Sequence, residues 1–175
     1  MRYAQIVPFE VCNGKGAGVS LFTQGCKFHC KNCFNQEAWD FNGGKEWNED
    51  VKNIFFEIIK KPYIKRVSIL GGEPLANQNA LEVYELVADI RKKFPDKKIW
   101  LYTGYTWDEL FFEEENLKEI CYDQTRRAIM LGCDVVVDGR YIDSLRDVTL
   151  KFSGSSNQRV IDVKKSIEEN MVVLL

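Results

Sequence analysis

Three of the six cysteines in this 175-residue chain, Cys26, Cys30 and Cys33, share one short loop at C-x3-C-x2-C spacing. Thiolates that close together can hold a metal ion or an iron–sulfur cluster. A cubane cluster has four irons, so three cysteines leave one iron open to a small molecule. The same logic separates a catalytic zinc from a closed structural one. A zinc ribbon would match one C-x2-C pair with a second, and this chain has none. Zinc and plain structural thiols stay open as readings of the spacing. His29, the only histidine, lies inside the loop, where a fourth ligand would close the open position. Cys12, Cys121 and Cys133 have no ligand spacing with one another and read as small buried hydrophobes. Among them Cys12 is the one candidate for a fourth zinc ligand.

Composition bounds what surrounds this loop. A chain of 175 residues fits one domain, taken as 1–175, with a sizeable core. Apolar residues make up 45% and charged residues 29%, ordinary for a globular protein. A net charge of −2 lacks the basic excess of a nucleic-acid face. No apolar run has the length of a signal peptide or a bilayer span, so the chain is expected to work in the cytoplasm, away from membranes. In a reducing compartment its cysteines are ligands or thiols rather than disulfides.

Periodicity supplies the elements that must position the loop. Two short strands, Tyr3–Val7 and Val19–Thr23, flank a turn rich in glycine (Gly14, Gly16 and Gly18). Asn48 with Glu49 and Asp50 starts a helix whose apolar face reads Val51, Ile54, Phe55, Ile58 and Ile59, and Pro62 stops it. Val67–Leu70 is a short apolar run typical of a buried parallel strand. A helix over 79–94 follows, with Val83, Val87, Ile90 and Phe94 on one face. Next come a strand Ile99–Tyr102 and a capping box, Thr106 to Glu109, that opens another helix. The acidic run Glu113–Glu115 reads as a solvated bend before a helix Leu117–Leu131. Asp134–Val137 is a fourth buried strand and Arg159–Val163 a fifth. Strands alternating with helices imply parallel βαβ units. A closed eightfold barrel takes about 250 residues. The expected fold class is therefore α/β, a partial, open βα barrel of parallel strands with outer helices.

In such folds ligands bind at the carboxyl ends of the strands. Val19–Thr23 runs into the cysteine loop, Val67–Leu70 into Gly71-Gly72-Glu73-Pro74, Ile99–Tyr102 into Thr103-Gly104, and Asp134–Val137 into Asp138-Gly139. The chemically distinctive clusters are thus expected on one rim. Glycines let a backbone approach a ligand, and strand-end carbonyls with a carboxylate can accept hydrogen bonds from an ammonium group. A β-turn with proline at a favoured position explains the same tetrapeptide more plainly. Asp138 reads either as a site carboxylate or as a turn residue before Gly139.

The cysteine triad, with Gly25 before it and Phe34-Asn35 after it, resembles the cluster loop of the radical S-adenosylmethionine enzymes. Gly71-Gly72-Glu73-Pro74 matches their GGEP motif. Within that superfamily the chain most resembles the anaerobic ribonucleoside-triphosphate reductase-activating proteins, a subgroup that the stretch Gly154–Asp162 also matches. The resemblance spans about Gly14 to Asp162. It implies a [4Fe–4S] cluster on Cys26, Cys30 and Cys33, with the amino and carboxylate groups of S-adenosylmethionine on the open iron. Reductive cleavage would give methionine and a 5′-deoxyadenosyl radical, which takes hydrogen from a glycine of the partner reductase. It further implies cofactor contacts at Gly72, Glu73, Thr103, Asp138, Asn157 and Arg159, the last two with the partner's loop as the alternative ligand, and a one-electron donor such as flavodoxin.

Two departures stand out. Lys15 and Ala17-Gly18 replace the proline and arginine common in related glycine-rich stretches, so no ligand role is assigned there, and Ser153 stands where a basic residue is expected. A protein substrate needs a docking surface, for which the loop Arg140–Ser153, with Arg140, Arg146 and Lys151, is the expectation. Rival readings are activation of another glycyl-radical enzyme, a small-molecule radical reaction, or a non-catalytic zinc or cluster-binding module.

Overall fold

Seven strands form one open sheet in the order β3-β1-β2-β4-β5-β6-β7 in the computed structural model, which describes residues 1–112 and 120–175. The strands are β1 (Arg2–Glu10), β2 (Gly18–Thr23), β3 (Lys45–Glu46), β4 (Arg66–Gly71), β5 (Lys98–Tyr102), β6 (Val135–Asp138) and β7 (Arg159–Asp162). The helices are α1 (Glu49–Ile59), α2 (Asn77–Lys93), α3 (Trp107–Phe111), α4 (Ile120–Leu131) and α5 (Val163–Glu169). The acidic run Glu113–Glu115 and the first positions of the expected helix Leu117–Leu131 lie outside the described residues.

The sheet is mixed, which corrects the expectation of parallel strands throughout. Strands β2, β4, β5 and β6 are parallel in register, so their carboxyl ends share one edge, as the strand-end motifs require. Strand β1 pairs antiparallel with both β2 and β3, and β7 antiparallel with β6. A single apolar run carries no direction, and β7 returns from the loop after β6 without a crossover helix. Val163, expected at the end of that strand, instead opens α5, where Asp162 Oδ1 accepts from the Lys165 amide at 3.1 Å.

The period of two along the strands separates the two faces. Val67, Ile69, Ile99, Leu101 and Val136 join the helix-covered core with Phe55, Ile59, Val83, Leu86 and Ile90. Trp100, Val135 and Val137 point the other way and pack with Tyr102, Phe152 and Val160. Helix α1 starts as expected, with Asn48 Oδ1 accepting from the Val51 amide at 3.0 Å. Its buried face is shifted, however: Ile54 is 61% exposed, and Phe56 is buried instead. Phe56 turns towards the end of α2, where its ring meets Phe94 at 5.8 Å and lies under Lys93 Nζ at 4.2 Å.

Asp134 clamps the start of β6. It accepts from Arg91 Nη2 (2.5 Å), Lys98 Nζ (2.8 Å) and the Ile99 amide (2.9 Å). Burial pushes its carboxyl up, but these three donors outweigh burial and hold it below the ordinary 3.8. A depressed carboxylate contributes stability above its unfolded value and loses it as pH falls through the folded one. Asp134→Asn is therefore expected to lose about 1–2 kcal/mol at neutral pH, the usual worth of bonds to a charged group in a half-buried site. The two proteins should converge in stability as the pH falls below 3.8, which urea titration at several pH values would measure.

Among the described residues no helix is long and apolar enough to cross a membrane.

Candidate functional site

The cysteine loop is seated by backbone. The amides of Gly25 and Cys26 donate to Ala38 O (2.8 Å) and Trp39 O (3.0 Å), and Gly25 O accepts from the Glu73 amide at 2.7 Å. That last bond brings the loop against the Gly71–Pro74 turn, and the approach leaves no room for side chains. A Cβ on Gly72 would lie 2.4 Å from Gly25 O, and one on Gly25, whose φ is +92°, would lie 2.1 Å from the Phe41 ring. Beyond Cys26 the chain curls through left-handed residues at His29 and Asn32 and closes a turn from the Cys33 amide to Cys30 O. Asn32 Nδ2 donates to Asp143 Oδ2 at 2.9 Å, tying the loop to the segment after β6.

All three loop thiols are free and half-buried; of the other three cysteines, all expected to be buried, only Cys133 is, and Cys12 and Cys121 are exposed. Cys133 Sγ donates to Ile129 O at 3.1 Å, as expected of a structural thiol. Burial pushes Cys26 up to about 11, with the charge of Glu73 adding to it, while the Phe28 and His29 amides oppose it by hydrogen bonding to the sulfur. Burial and Cys33 likewise raise Cys30, against a backbone hydrogen bond from Tyr141. Among the described residues no three His, Cys, Asp or Glu side chains converge on a single metal ion. Thiols on one loop with amides aimed at sulfur suit a cluster, in which each cysteine binds its own iron and amide donors tune the centre. His29 lies against Trp39, ring centroids 4.6 Å apart.

Five of the six residues named as cofactor contacts are engaged with other parts of the protein through their side chains. Glu73 is 1% exposed, and its carboxylate accepts from Thr103 Oγ1 (2.7 Å), the Gly104 amide (2.7 Å) and the Leu75 amide (2.9 Å). Burial raises its pKa against those donors and the charge of Arg126. Asp138, equally buried, accepts from the Trp107 amide at 2.7 Å and from Arg159 Nε and Nη2 at 3.0 and 2.5 Å. Arg159 also reaches Asp108. Asn157 Nδ2 donates to Arg140 O at 2.8 Å, and the sixth residue, Gly72, donates its amide to Thr23 O at 2.8 Å. Glu73 and Thr103 therefore join the turns after β4 and β5, and Asp138 and Arg159 join β6, β7 and α3.

Beside the cysteine loop lies a cavity of about 610 Å³, lined by Asn13, Cys33, Leu70, Tyr102, Phe152 and Gln158 among others. None of the six named contacts lines it. Tyr102 and Gln158 were missed by sequence reasoning. Period-two alternation was the available signal for Tyr102, since Trp100 and Tyr102 alternate with the core residues Ile99 and Leu101. The Tyr102 hydroxyl is buried without a hydrogen-bond partner, an orphaned polar group of the kind a polar ligand satisfies. The thiols and this cavity fit a cluster with a small molecule beside it.

Comparison with known proteins supports the cluster. The 4Fe-4S single cluster domain family matches residues 12–161. The chain is 36% identical to the anaerobic ribonucleoside-triphosphate reductase-activating protein of Vibrio cholerae over 160 residues, covering 90% of this chain and 96% of that protein. Proteins of the same name from Haemophilus influenzae (34%; 90% and 96% covered) and Enterobacteria phage T4 (33%; 91% and 93% covered) are similar over a comparable span. With its cysteine loop at the carboxyl edge of the parallel strands and this likeness along nine-tenths of its length, the chain belongs to the family of anaerobic ribonucleoside-triphosphate reductase-activating proteins.

Proposed function

We propose that this protein, working in the cytoplasm as one catalytic unit, activates an anaerobic ribonucleoside-triphosphate reductase by leaving a radical on one of its glycines. The observation that carries the reading is the placement of three half-buried thiols on one loop at the carboxyl edge of four parallel strands, with Cys33 on the wall of a cavity. A [4Fe–4S] cluster on Cys26, Cys30 and Cys33, fed one electron by a donor such as flavodoxin, supplies the reductive cleavage of S-adenosylmethionine to methionine and a 5′-deoxyadenosyl radical. Transfer of a hydrogen atom from the glycine Cα to that radical balances the reaction as 5′-deoxyadenosine and a glycyl radical.

The chain's own residues bind, orient and exclude water. In this reading Gly72 meets the methionine ammonium through its backbone, because nothing larger fits beside Gly25. Glu73 and Thr103 hold that turn in register with the one after β5, Asp138 and Arg159 hold β6, β7 and α3 together, and Asn157 holds the backbone at Arg140. The open sheet then serves as the partial barrel typical of radical S-adenosylmethionine enzymes.

The test is anaerobic reconstitution, reduction and addition of S-adenosylmethionine with the reductase. Deoxyadenosine together with a glycyl-radical resonance on the reductase supports the reading. A radical on a different glycyl-radical enzyme favours that alternative, and zinc as the sole bound metal removes the radical chemistry.

Tyr102 offers a narrower check. If its hydroxyl meets the cofactor, Tyr102→Phe should weaken S-adenosylmethionine binding by about tenfold, the worth of one hydrogen bond to a charged or strongly polar group. The same change should leave the melting temperature of the cofactor-free protein level or slightly higher, because it removes an unpaired buried hydroxyl. Calorimetric titration and thermal denaturation would read the two.

A further inference from the structure

Phe34 and Val148 are the two most exposed large hydrophobic residues among those described, at 90% and 82%. They lie more than a hundred positions apart in sequence, yet both line the cavity beside the cysteine loop. High exposure combined with contact with the cavity puts them at its mouth.

Their positions are held by local structure. Phe34 directly follows Cys33, between the Cys33-to-Cys30 turn and the bond from the Ala38 amide to Asn35 O (3.1 Å). Val148 sits in a turn in which Asp147 Oδ1 accepts from the amide and hydroxyl of Thr149, at 2.8 and 2.6 Å. A short antiparallel pairing carries that turn: Arg146 bridges Ser155, and the Ser156 amide donates to Leu145 O at 2.9 Å. The Asn32–Asp143 bond then fixes the two sides of the mouth to each other. Two exposed apolar side chains lining one opening give it an apolar rim, the kind of surface that marks an interaction site.

We propose that Phe34 and Val148 are the apolar anchors onto which the reductase segment carrying the target glycine docks. The inference rests on the function proposed above. Hydrogen transfer requires the donor and acceptor carbons to touch, so a residue of a protein substrate must enter through the mouth of the cavity next to the cysteines. Glycine has no side chain of its own to grip. The side chains flanking it therefore land on the rim, and an apolar rim selects apolar flanking residues. Val148 lies in the Arg140–Ser153 loop expected to dock the partner, so the proposal keeps that loop and adds apolar anchors to its basic residues: Arg146 lines the same cavity, and Arg140 has its guanidinium over the Phe28 ring at 4.4 Å.

The experiment measures binding of the anaerobic reductase to the reconstituted protein by anaerobic calorimetry, for the wild type, Phe34→Ala, Phe34→Leu and Val148→Ser. Bound iron and self-association are measured on the same samples. Docking at this rim predicts affinity at least tenfold weaker for Phe34→Ala and for Val148→Ser, partial recovery in Phe34→Leu, and iron at the wild-type level in Val148→Ser. Val148 is remote in sequence from the cysteines, so it carries the test alone if Phe34→Ala loads less iron. Wild-type affinity in both Val148→Ser and an iron-loaded Phe34→Ala overturns the docking site and leaves the proposed function standing. A change confined to self-association assigns the rim to a second copy of this chain and likewise overturns it. Absence of reductase binding by the wild type overturns the proposed function, and the docking site with it.

Discussion

Cys30→Ala is expected to strip the protein of its iron and sulfide and to abolish deoxyadenosine formation, while its fold survives. Removing outer partners of a metal ligand commonly costs 10–100-fold, so losing one of three ligands should exceed about 1,000-fold in activity. Cys30 is the middle cysteine of the loop, and its sulfur receives the backbone hydrogen bond from Tyr141. Without it two thiols remain for four irons. The matching controls are Cys133→Ala and Cys12→Ala. Cys133 is buried with its thiol bonded to Ile129 O, and Cys12 is exposed on the wall of the same cavity as Cys33. Both variants should keep their iron. Iron and sulfide per chain, with circular dichroism for the fold, decide the matter. A Cys30→Ala protein that still held a full cluster would mean that Cys12 or His29 is a ligand, and the open-iron reading would fall.

The second large effect is structural. Glu73→Ala is expected to destabilise the cofactor-free protein by about 3 kcal/mol or more, because each donor left unsatisfied in a buried site costs about 1–3 kcal/mol and Glu73 serves three. At about 2–4 °C per kcal/mol for a chain of this size, the melting temperature should fall by roughly 6–12 °C. Glu73→Gln should fall less, since its carbonyl can still accept while its amide faces a donor. A cycle with Thr103→Val separates a strut from a ligand. A strut predicts coupling of about 0.5–3 kcal/mol between the two positions in the stability of the protein alone. Additive losses of stability would show that the carboxylate does not brace the turn after β5.

The Cys30 expectation is the one the sequence suggested, whereas that for Glu73 differs from it, and the reason is physical. The cysteine spacing and the strand-end glycines are local facts, readable from residue types a few positions apart. The common edge was legible too, because β2, β4, β5 and β6 are buried apolar runs that read as parallel neighbours joined by helices. What a side chain bonds to is not local. Glu73 meets Thr103 across 30 positions, and Arg159 meets Asp138 across 21 and Asp108 across 51. From composition alone, a carboxylate at a strand end looks available to a ligand whether or not a neighbouring turn has already taken it. Direction was hidden for the same reason: β1 and β7 have the apolar content of any strand, and only their pairing partners show them antiparallel. Phe34 belongs to the cysteine motif, yet nothing in its neighbours along the chain announces that it stands in water.

The cysteine loop is fastened by main-chain bonds from Gly25, Cys26 and Glu73 to residues that carry no metal. A zinc finger deprived of its ion unravels. Here the bonds that seat Gly25 and Cys26 do not pass through sulfur, so loss of a cluster to oxygen is expected to leave the fold standing. Air-exposed protein should then keep its circular dichroism while losing its iron, and regain activity when iron and sulfide are supplied again.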